Sequence, residues 1–172
     1  MNELLTTSAP WLHLTSAPPP ELDEIVRTLS SGANRHAFVR KLRGEKMRTR
    51  EGVWDECAAA LQLPAYFGHN WDALDECLHD LAWPKSEACV LVFGRADELL
   101  AGEERDFSIL LKILNQCGLS WSRDRTERSQ AARPFHSVFA CSASAQEAEF
   151  ERRAIAAGID RAALHHIQRA LA

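Results

Sequence analysis

The chain has 172 residues, of which 46% are hydrophobic and 26% are charged, values typical of a globular protein rather than a disordered, collagenous or membrane one. Lysine and arginine number 20 against 24 aspartate and glutamate, which gives a net charge of -4 at pH 7. This excess of acids argues against a protein that is held on nucleic acid by phosphate contacts, and we expect no direct nucleic-acid binding.

The cysteines and the apolar runs indicate a cytoplasmic protein. Five cysteines, at least twelve positions apart, leave no C-x2-C pair for zinc or redox chemistry, so we interpret them as small buried residues of a reducing compartment. The longest apolar run, residues 88–93, is far shorter than the roughly 20 residues of a membrane span. Glu3 stands where a signal peptide carries positive charge, and we expect no membrane association.

Hydrophobic periodicity predicts an α/β layer with a small parallel sheet. A polyproline stretch at residues 16–20 separates a short N-terminal lead from a helical stretch that begins near Glu21. Beyond it, strand and helix patterns alternate between glycine and proline breaks, with Gly118 expected to end a helix. The predicted strands are residues 37–42, 88–93 and 135–141, and the predicted helices are 50–63, 70–81, 107–117, 145–157 and 159–171. Residues 88–93 lack alternation, which indicates burial on both faces of the sheet.

Charge is unevenly distributed along the chain. Residues 64–106 contain ten acids and three bases, a local net charge of -7, whereas the remainder has 14 acids and 17 bases, or +3. Such a surface attracts positively charged partners, although acidic helix faces also occur simply as solvated surfaces. The segment that contains the second predicted helix distinguishes between these interpretations.

That helix presents acids on one side and an aromatic loop before its first turn. Apolar residues at helical spacing predict the buried stripe: Trp71, Leu74, Leu78 and Leu81. The opposite, solvated side then carries Asp72, Asp75, Glu76, His79 and Asp80. Asn70 is a natural N-cap, and Tyr66 and Phe67 precede it. Acids beside rigid aromatic side chains are what a surface that binds a cationic groove requires.

Residues 63–78, Leu-Pro-Ala-Tyr-Phe-Gly-His-Asn-Trp-Asp-Ala-Leu-Asp-Glu-Cys-Leu, resemble the signature of the barstar family, intracellular inhibitors of barnase-type ribonucleases. The resemblance extends from about residue 37 to residue 141. It implies a three-stranded parallel sheet flanked by helices. We therefore expect an N-terminal extension at 1–35 with the polyproline linker and a short helix, a barstar-like domain at 36–142, and a C-terminal helical extension at 143–172.

The resemblance also implies a function and a site. Family members press this loop and helix into the active site of the nuclease, where an acid replaces the substrate phosphate. Glu76 falls on that position and Tyr66 on the aromatic that packs against the catalytic histidine, while Asp75 and Leu81 replace tryptophans of the best-studied member. No catalytic residue, cofactor or metal is implied. The predicted partner-binding residues are Tyr66, Phe67, Gly68, Asn70, Asp72, Asp75, Glu76, His79 and Asp80.

Two alternatives remain. Asp72 with Glu76, and Asp75 with His79, are i, i+4 pairs that could hold a divalent metal for hydrolysis, with His69 or Asp80 nearby. The chain could instead be a scaffold of the same fold that contacts a non-nuclease partner through the Arg-rich loop at 120–133 or through the C-terminal helices.

Overall fold

A computed structural model of the protein describes residues 2–31, 36–80, 86–123 and 131–167. Its strands are β1 (Leu12–Ser16), β2 (Ala37–Arg43), β3 (Ala88–Gly94), β4 (Phe135–Cys141) and β5 (Leu164–His166). Its α-helices are α1 (Pro19–Leu29), α2 (Arg50–Leu61), α3 (Trp71–Asp80), α4 (Glu104–Trp121) and α5 (Ser144–Ala156). None of the described helices is both long and apolar enough to cross a bilayer.

The sheet has five strands, all parallel, in the order β2-β3-β4-β1-β5. The α/β class is as expected, but the three-stranded sheet is wrong. The N-terminal lead forms β1, which pairs with β4 from Leu12 opposite Ser137 to Ser16 opposite Cys141. β5 lies within the predicted C-terminal helix at 159–171 and pairs with β1.

The strands β1 and β5 were not predicted because each depends on pairing between distant parts of the chain. β5 has only three residues, too few for a period-2 pattern to stand out from a helical one. It forms because β1 offers an edge, where the Ile167 N–H donates to the Leu14 carbonyl at 2.8 Å. The N-terminal lead and the C-terminal segment that was predicted to be helical therefore contribute an inner strand and an edge strand of the sheet.

The helices cover the two faces of the sheet unequally. α2, α3, α4 and α5 enclose the larger core, in which Phe93 stacks on Phe139 at 4.9 Å between ring centroids. α1 contributes Leu22 and Leu29 to a second core on the other face, against alternate residues of the strands such as Val90. Every residue of β3 is buried, as its uninterrupted apolar run predicted.

Gly118 does not end α4, which continues to Trp121. A Cβ atom at position 118 would lie 2.3 Å from Cγ of Trp11, and its three nearest neighbours are all atoms of that side chain. The glycine is therefore a point of close approach, where the residue before β1 packs directly on the middle of a helix. This contact fixes the N-terminal segment on the body of the protein.

A pair of buried histidines lies under the same N-terminal segment. His136 on β4 donates from Nε2 to the Thr6 carbonyl at 2.8 Å, so its Nδ1 accepts from Nε2 of His13 on β1, also at 2.8 Å. Burial, reinforced by the nearby His136 and His165, lowers the pKa of His13 to about 3, and burial also lowers the pKa of His136. Both imidazoles are therefore neutral in the folded protein at neutral pH.

Stability will fall as the pH is lowered from about 7.5 to about 5, a range above the titration of ordinary carboxylates. The unfolded chain protonates both imidazoles near pH 6.5, whereas the folded chain protonates His13 only near its lowered pKa of about 3. His13 therefore lowers the free energy of unfolding by up to about 1.4 kcal/mol per pH unit below 6.5, and the lowered pKa of His136 adds to this loss. Urea unfolding at successive pH values measures this loss. The hydrogen bond with Glu147 raises the pKa of His166, so protonation of His166 stabilises the folded protein as the pH falls. His166→Gln removes this gain and should steepen the loss of stability. A flat profile would contradict the neutral buried pair.

Candidate functional site

The start of α3 is built as the sequence predicts. Oδ1 of Asn70 accepts a hydrogen bond from the Ala73 N–H at 2.8 Å, and the Asn70 carbonyl accepts the first helical bond from the Leu74 N–H at 3.0 Å. The Asn70 amide also donates to the Gly68 carbonyl at 3.1 Å. One side chain thus fixes both the first turn of the helix and the loop that enters it.

Two tryptophans hold α3 against α4. Nε1 of Trp71 donates to Oδ1 of Asp106 at 2.8 Å, near the start of α4, and Nε1 of Trp121 donates to the Leu78 carbonyl at 3.0 Å, near its end. Sequence analysis missed Asp106 and Trp121 because each partner lies more than thirty residues away along the chain. Leu74 and Leu78 are buried as predicted, and Leu81 lies outside the described residues. The helix is therefore anchored at both ends.

The outer side of α3 carries a row of three exposed carboxylates at i, i+4 and i+8: Asp72, Glu76 and Asp80, here called the acidic row. Among the described residues, the carboxylates of Asp72 and Glu76 take part in no ion pair or side-chain hydrogen bond. The negative charge also affects the neighbouring thiol: burial and the charges of Glu76 and Asp80 raise the pKa of Cys77. The acidic row is thus a concentrated, solvent-facing negative charge.

Other acids of the stretch 64–106 are used within the fold. Glu98 pairs with both Arg48 and Arg95, and its side chain is largely buried between them. Asp97 accepts hydrogen bonds from the backbone N–H and the hydroxyl of Ser142 at 3.0 and 3.1 Å. These two acids are therefore used within the fold, whereas the acidic row faces solvent.

The loop before α3 separates its two aromatic residues. Tyr66 is 84% exposed, whereas Phe67 is 6% exposed and belongs to the larger core. The Phe67 N–H donates to the Pro64 carbonyl at 2.9 Å, and Nδ1 of His69 donates to the Phe67 carbonyl at 3.1 Å. Phe67 thus anchors the loop from below, while Tyr66 and Gly68 lie on the surface beside the acidic row.

The two predicted metal-binding pairs lie on different rows of α3. Asp72 and Glu76 belong to the outer row, whereas Asp75 and His79 form an inner row that is half-buried against α4. His69 turns away toward Asp55, at 3.6 Å between Nε2 and Oδ1. The two pairs therefore do not converge on one ion.

A separate cavity of about 530 Å³ lies at the carboxyl ends of the strands, the edge at which parallel α/β sheets commonly bind ligands. Lys41, Arg43 and Arg95 line it, but each already pairs with an acid. The partners are Asp23 for Lys41, Glu56 for Arg43 and Glu98 for Arg95. With those charges compensated, the cavity has no clear anion-binding character. The acidic row and its loop remain the best-defined candidate site.

Comparison with known proteins gives one family and a set of distant structures. The family model described as "Barstar (barnase inhibitor)" matches residues 37–140, which include α3 and its loop. No curated protein matches the chain. A chain in the "Structure of Drosophila ORC bound to DNA" is 12% identical with a TM-score of 0.50 over 91% of this chain and 26% of its own length. One in the "Structure of Drosophila ORC bound to AT-rich DNA and Cdc6" is 11% identical with a TM-score of 0.49, over 97% of this chain and 49% of its own.

Only the neighbour with a TM-score of 0.50 bears on the fold, and it bears on nothing else. The chain spans about half or less of the length of these neighbours, and identity near one residue in ten carries no information about ligands or partners. The match to the family model covers most of the chain and contains the acidic row.

Proposed function

The chain belongs to the barstar family, and from that membership we propose that it is an intracellular inhibitor that binds and blocks the active site of a basic barnase-type ribonuclease. The observation that supports this function most strongly is the acidic row on an anchored helix beside the exposed side chain of Tyr66. A nuclease active site is a cationic groove built to hold phosphate, and three aligned carboxylates complement it.

Glu76, the central member of the acidic row, takes the place of the substrate phosphate in this proposal. Asp72 and Asp80 lie one helical turn to either side and extend the negative charge along the groove. Tyr66 supplies a rigid apolar contact, and Asn70 holds the loop in its binding shape. Because α3 is already fixed by Trp71 and Trp121, little conformational entropy is lost on binding.

The remaining predicted residues surround this centre. At Gly68 an added Cβ would lie 3.0 Å from Nδ2 of Asn70, so the glycine leaves room for the Asn70 side chain that holds the loop. Asp75 and His79 border the acidic row on the side of α4, and Phe67 supports Tyr66 from the core. We propose that these residues form the edge of the binding surface and determine which nuclease it binds.

We propose the cytoplasm as the site of action, because all five cysteines are free thiols. We further propose that residues 36–142 form the inhibitory unit, with 1–35 and 143–172 as additions that complete its sheet through β1 and β5. No contact with nucleic acid or membrane enters this function.

Capture from lysate followed by an RNA-cleavage assay tests the proposal. The immobilised protein should retain a small basic nuclease at low salt, release it at high salt, and abolish its activity at an equimolar ratio, because the binding is largely electrostatic. Full activity of barnase-type ribonucleases in the presence of excess protein, with no nuclease captured, would refute the inhibitor function while leaving the family assignment intact.

A further inference from the structure

Three potential metal ligands from two helices meet on the inner side of α3. Nδ1 of His79 lies 3.2 Å from Oδ1 of Asp75 and 3.5 Å from Sγ of Cys117 on α4. All three ligand atoms lie within 4.8 Å of one another. Within the described parts of the chain, this is the one place where three such side chains converge so closely.

The arrangement differs from a nucleophilic Cys-His-Asp triad. A triad uses both ring nitrogens, one toward the nucleophile and the other toward the acid. Here the same atom, Nδ1 of His79, faces both Asp75 and Cys117. The thiol of Cys117 is also fully buried, so no substrate can reach it. The three groups point at a common centre rather than forming a relay.

The separations match those around a tetrahedral zinc ion. Bond lengths of about 2.3 Å to sulfur and about 2.0–2.1 Å to nitrogen or oxygen place neighbouring ligands about 3.3–3.6 Å apart. The measured nitrogen–oxygen and nitrogen–sulfur distances, 3.2 and 3.5 Å, lie close to these values. The third distance, from the Asp75 carboxylate to Sγ of Cys117, is at most 4.8 Å, and the half-exposed Asp75 side chain is the ligand that would move toward the ion.

We propose that Asp75, His79 and Cys117 form a binding site for zinc. Thiolate and imidazole ligands favour a borderline metal such as zinc over magnesium or calcium. On binding, Cys117 loses its proton to solvent and the neutral imidazole of His79 carries its proton on Nε2, so that Nδ1 coordinates the metal in place of donating to the Asp75 carbonyl. The half-exposed side of the site leaves the fourth position to water. The ion would link α3 to α4 one residue from Glu76.

Titration with Co²⁺, a spectroscopic substitute for zinc, tests this proposal on the purified full chain in thiol-free buffer. We expect one ion per chain, a near-ultraviolet thiolate-to-cobalt charge-transfer band and the visible bands of tetrahedral cobalt, all bleached by Zn²⁺. His79→Gln should weaken binding by more than about 100-fold, since even residues that only support metal ligands are worth about 10–100-fold.

Two cysteine variants identify the sulfur ligand. Cys117→Ser should abolish the charge-transfer band, whereas Cys77→Ser, on α3 but outside the cluster, should leave it unchanged. If the buried Cys117→Ser variant fails to fold, the half-buried variant His79→Gln tests whether the cluster binds the metal. Circular dichroism checks that each variant is folded. Absence of the thiolate band in the parent protein, its loss in Cys77→Ser, or unchanged binding by His79→Gln would each overturn the site. None of these readouts depends on a nuclease.

Discussion

Replacing Glu76 with glutamine will weaken binding of the cognate ribonuclease by about 2–5 kcal/mol, the cost of truncating one member of a buried charge pair. The expected increase in Kd is therefore between about 30-fold and several thousand-fold. Glutamine keeps the size and helix propensity of the side chain, so the loss reports the charge that stands in for phosphate. Isothermal titration or inhibition of RNA cleavage measures the change.

Glu149→Gln on α5 is the matched control. Glu149 is an exposed helical glutamate that pairs only locally, with Arg152, so its replacement should leave Kd nearly unchanged. Glu98 is unsuitable, because its pairing with Arg48 and Arg95 makes it part of the fold. Similar losses for Glu76→Gln and Glu149→Gln would contradict the phosphate-mimic role and leave only a general effect of charge.

The same variant should be slightly more stable than the parent. Glu76 lies one turn from Asp72 and one turn from Asp80, and each like-charged i, i+4 pair costs about 0.2–0.5 kcal/mol. Glu76→Gln should therefore raise the free energy of unfolding by about 0.4–1 kcal/mol at low ionic strength, with a smaller gain in high salt. A residue that is unfavourable for folding but required for binding has a role in recognition rather than in stability.

The elements that carry the site could be predicted from the sequence because their signals are local. The spacing of Leu74 and Leu78 and the capping side chain of Asn70 define α3 without reference to the rest of the chain. Strands β2, β3 and β4 were likewise found from their own residues. What local patterns cannot supply is pairing over long distances, which is why β1 and β5 were missed.

The same limit applies to the candidate site. Counting acids pointed to residues 64–106, but Asp97 and Glu98 are engaged by Ser142 and by two arginines, and only tertiary structure separates them from the acidic row. Tyr66 and Phe67 are adjacent in the sequence, yet Phe67 is buried in the core and Tyr66 is exposed on the surface. The approach of Cys117 to His79 likewise depends on how α3 packs on α4.

Substitution of Gly118 by alanine will have opposite effects on stability in two backgrounds. In the parent protein the new Cβ would overlap the Trp11 indole, so we expect a loss of about 1–3 kcal/mol from overpacking. Trp11→Ala alone should cost about 3–5 kcal/mol, because it removes a buried tryptophan. In that background Gly118→Ala should raise stability by up to about 1 kcal/mol, since alanine is the better helix former and the overlap is gone.

A double-mutant cycle measured by urea unfolding determines this coupling, and Gly52→Ala is its control. A Cβ at position 52 would lie 2.2 Å from the Lys46 carbonyl oxygen, a clash that does not involve Trp11, so its cost should be the same in both backgrounds. Equal effects of Gly118→Ala with and without Trp11 would mean that the N-terminal segment does not pack on α4. If Gly118→Ala destabilises the parent but stabilises the Trp11→Ala variant, the N-terminal segment unfolds together with α4. Because α3 also packs on α4, the N-terminal segment and the helix that carries the acidic row then belong to one cooperative unit.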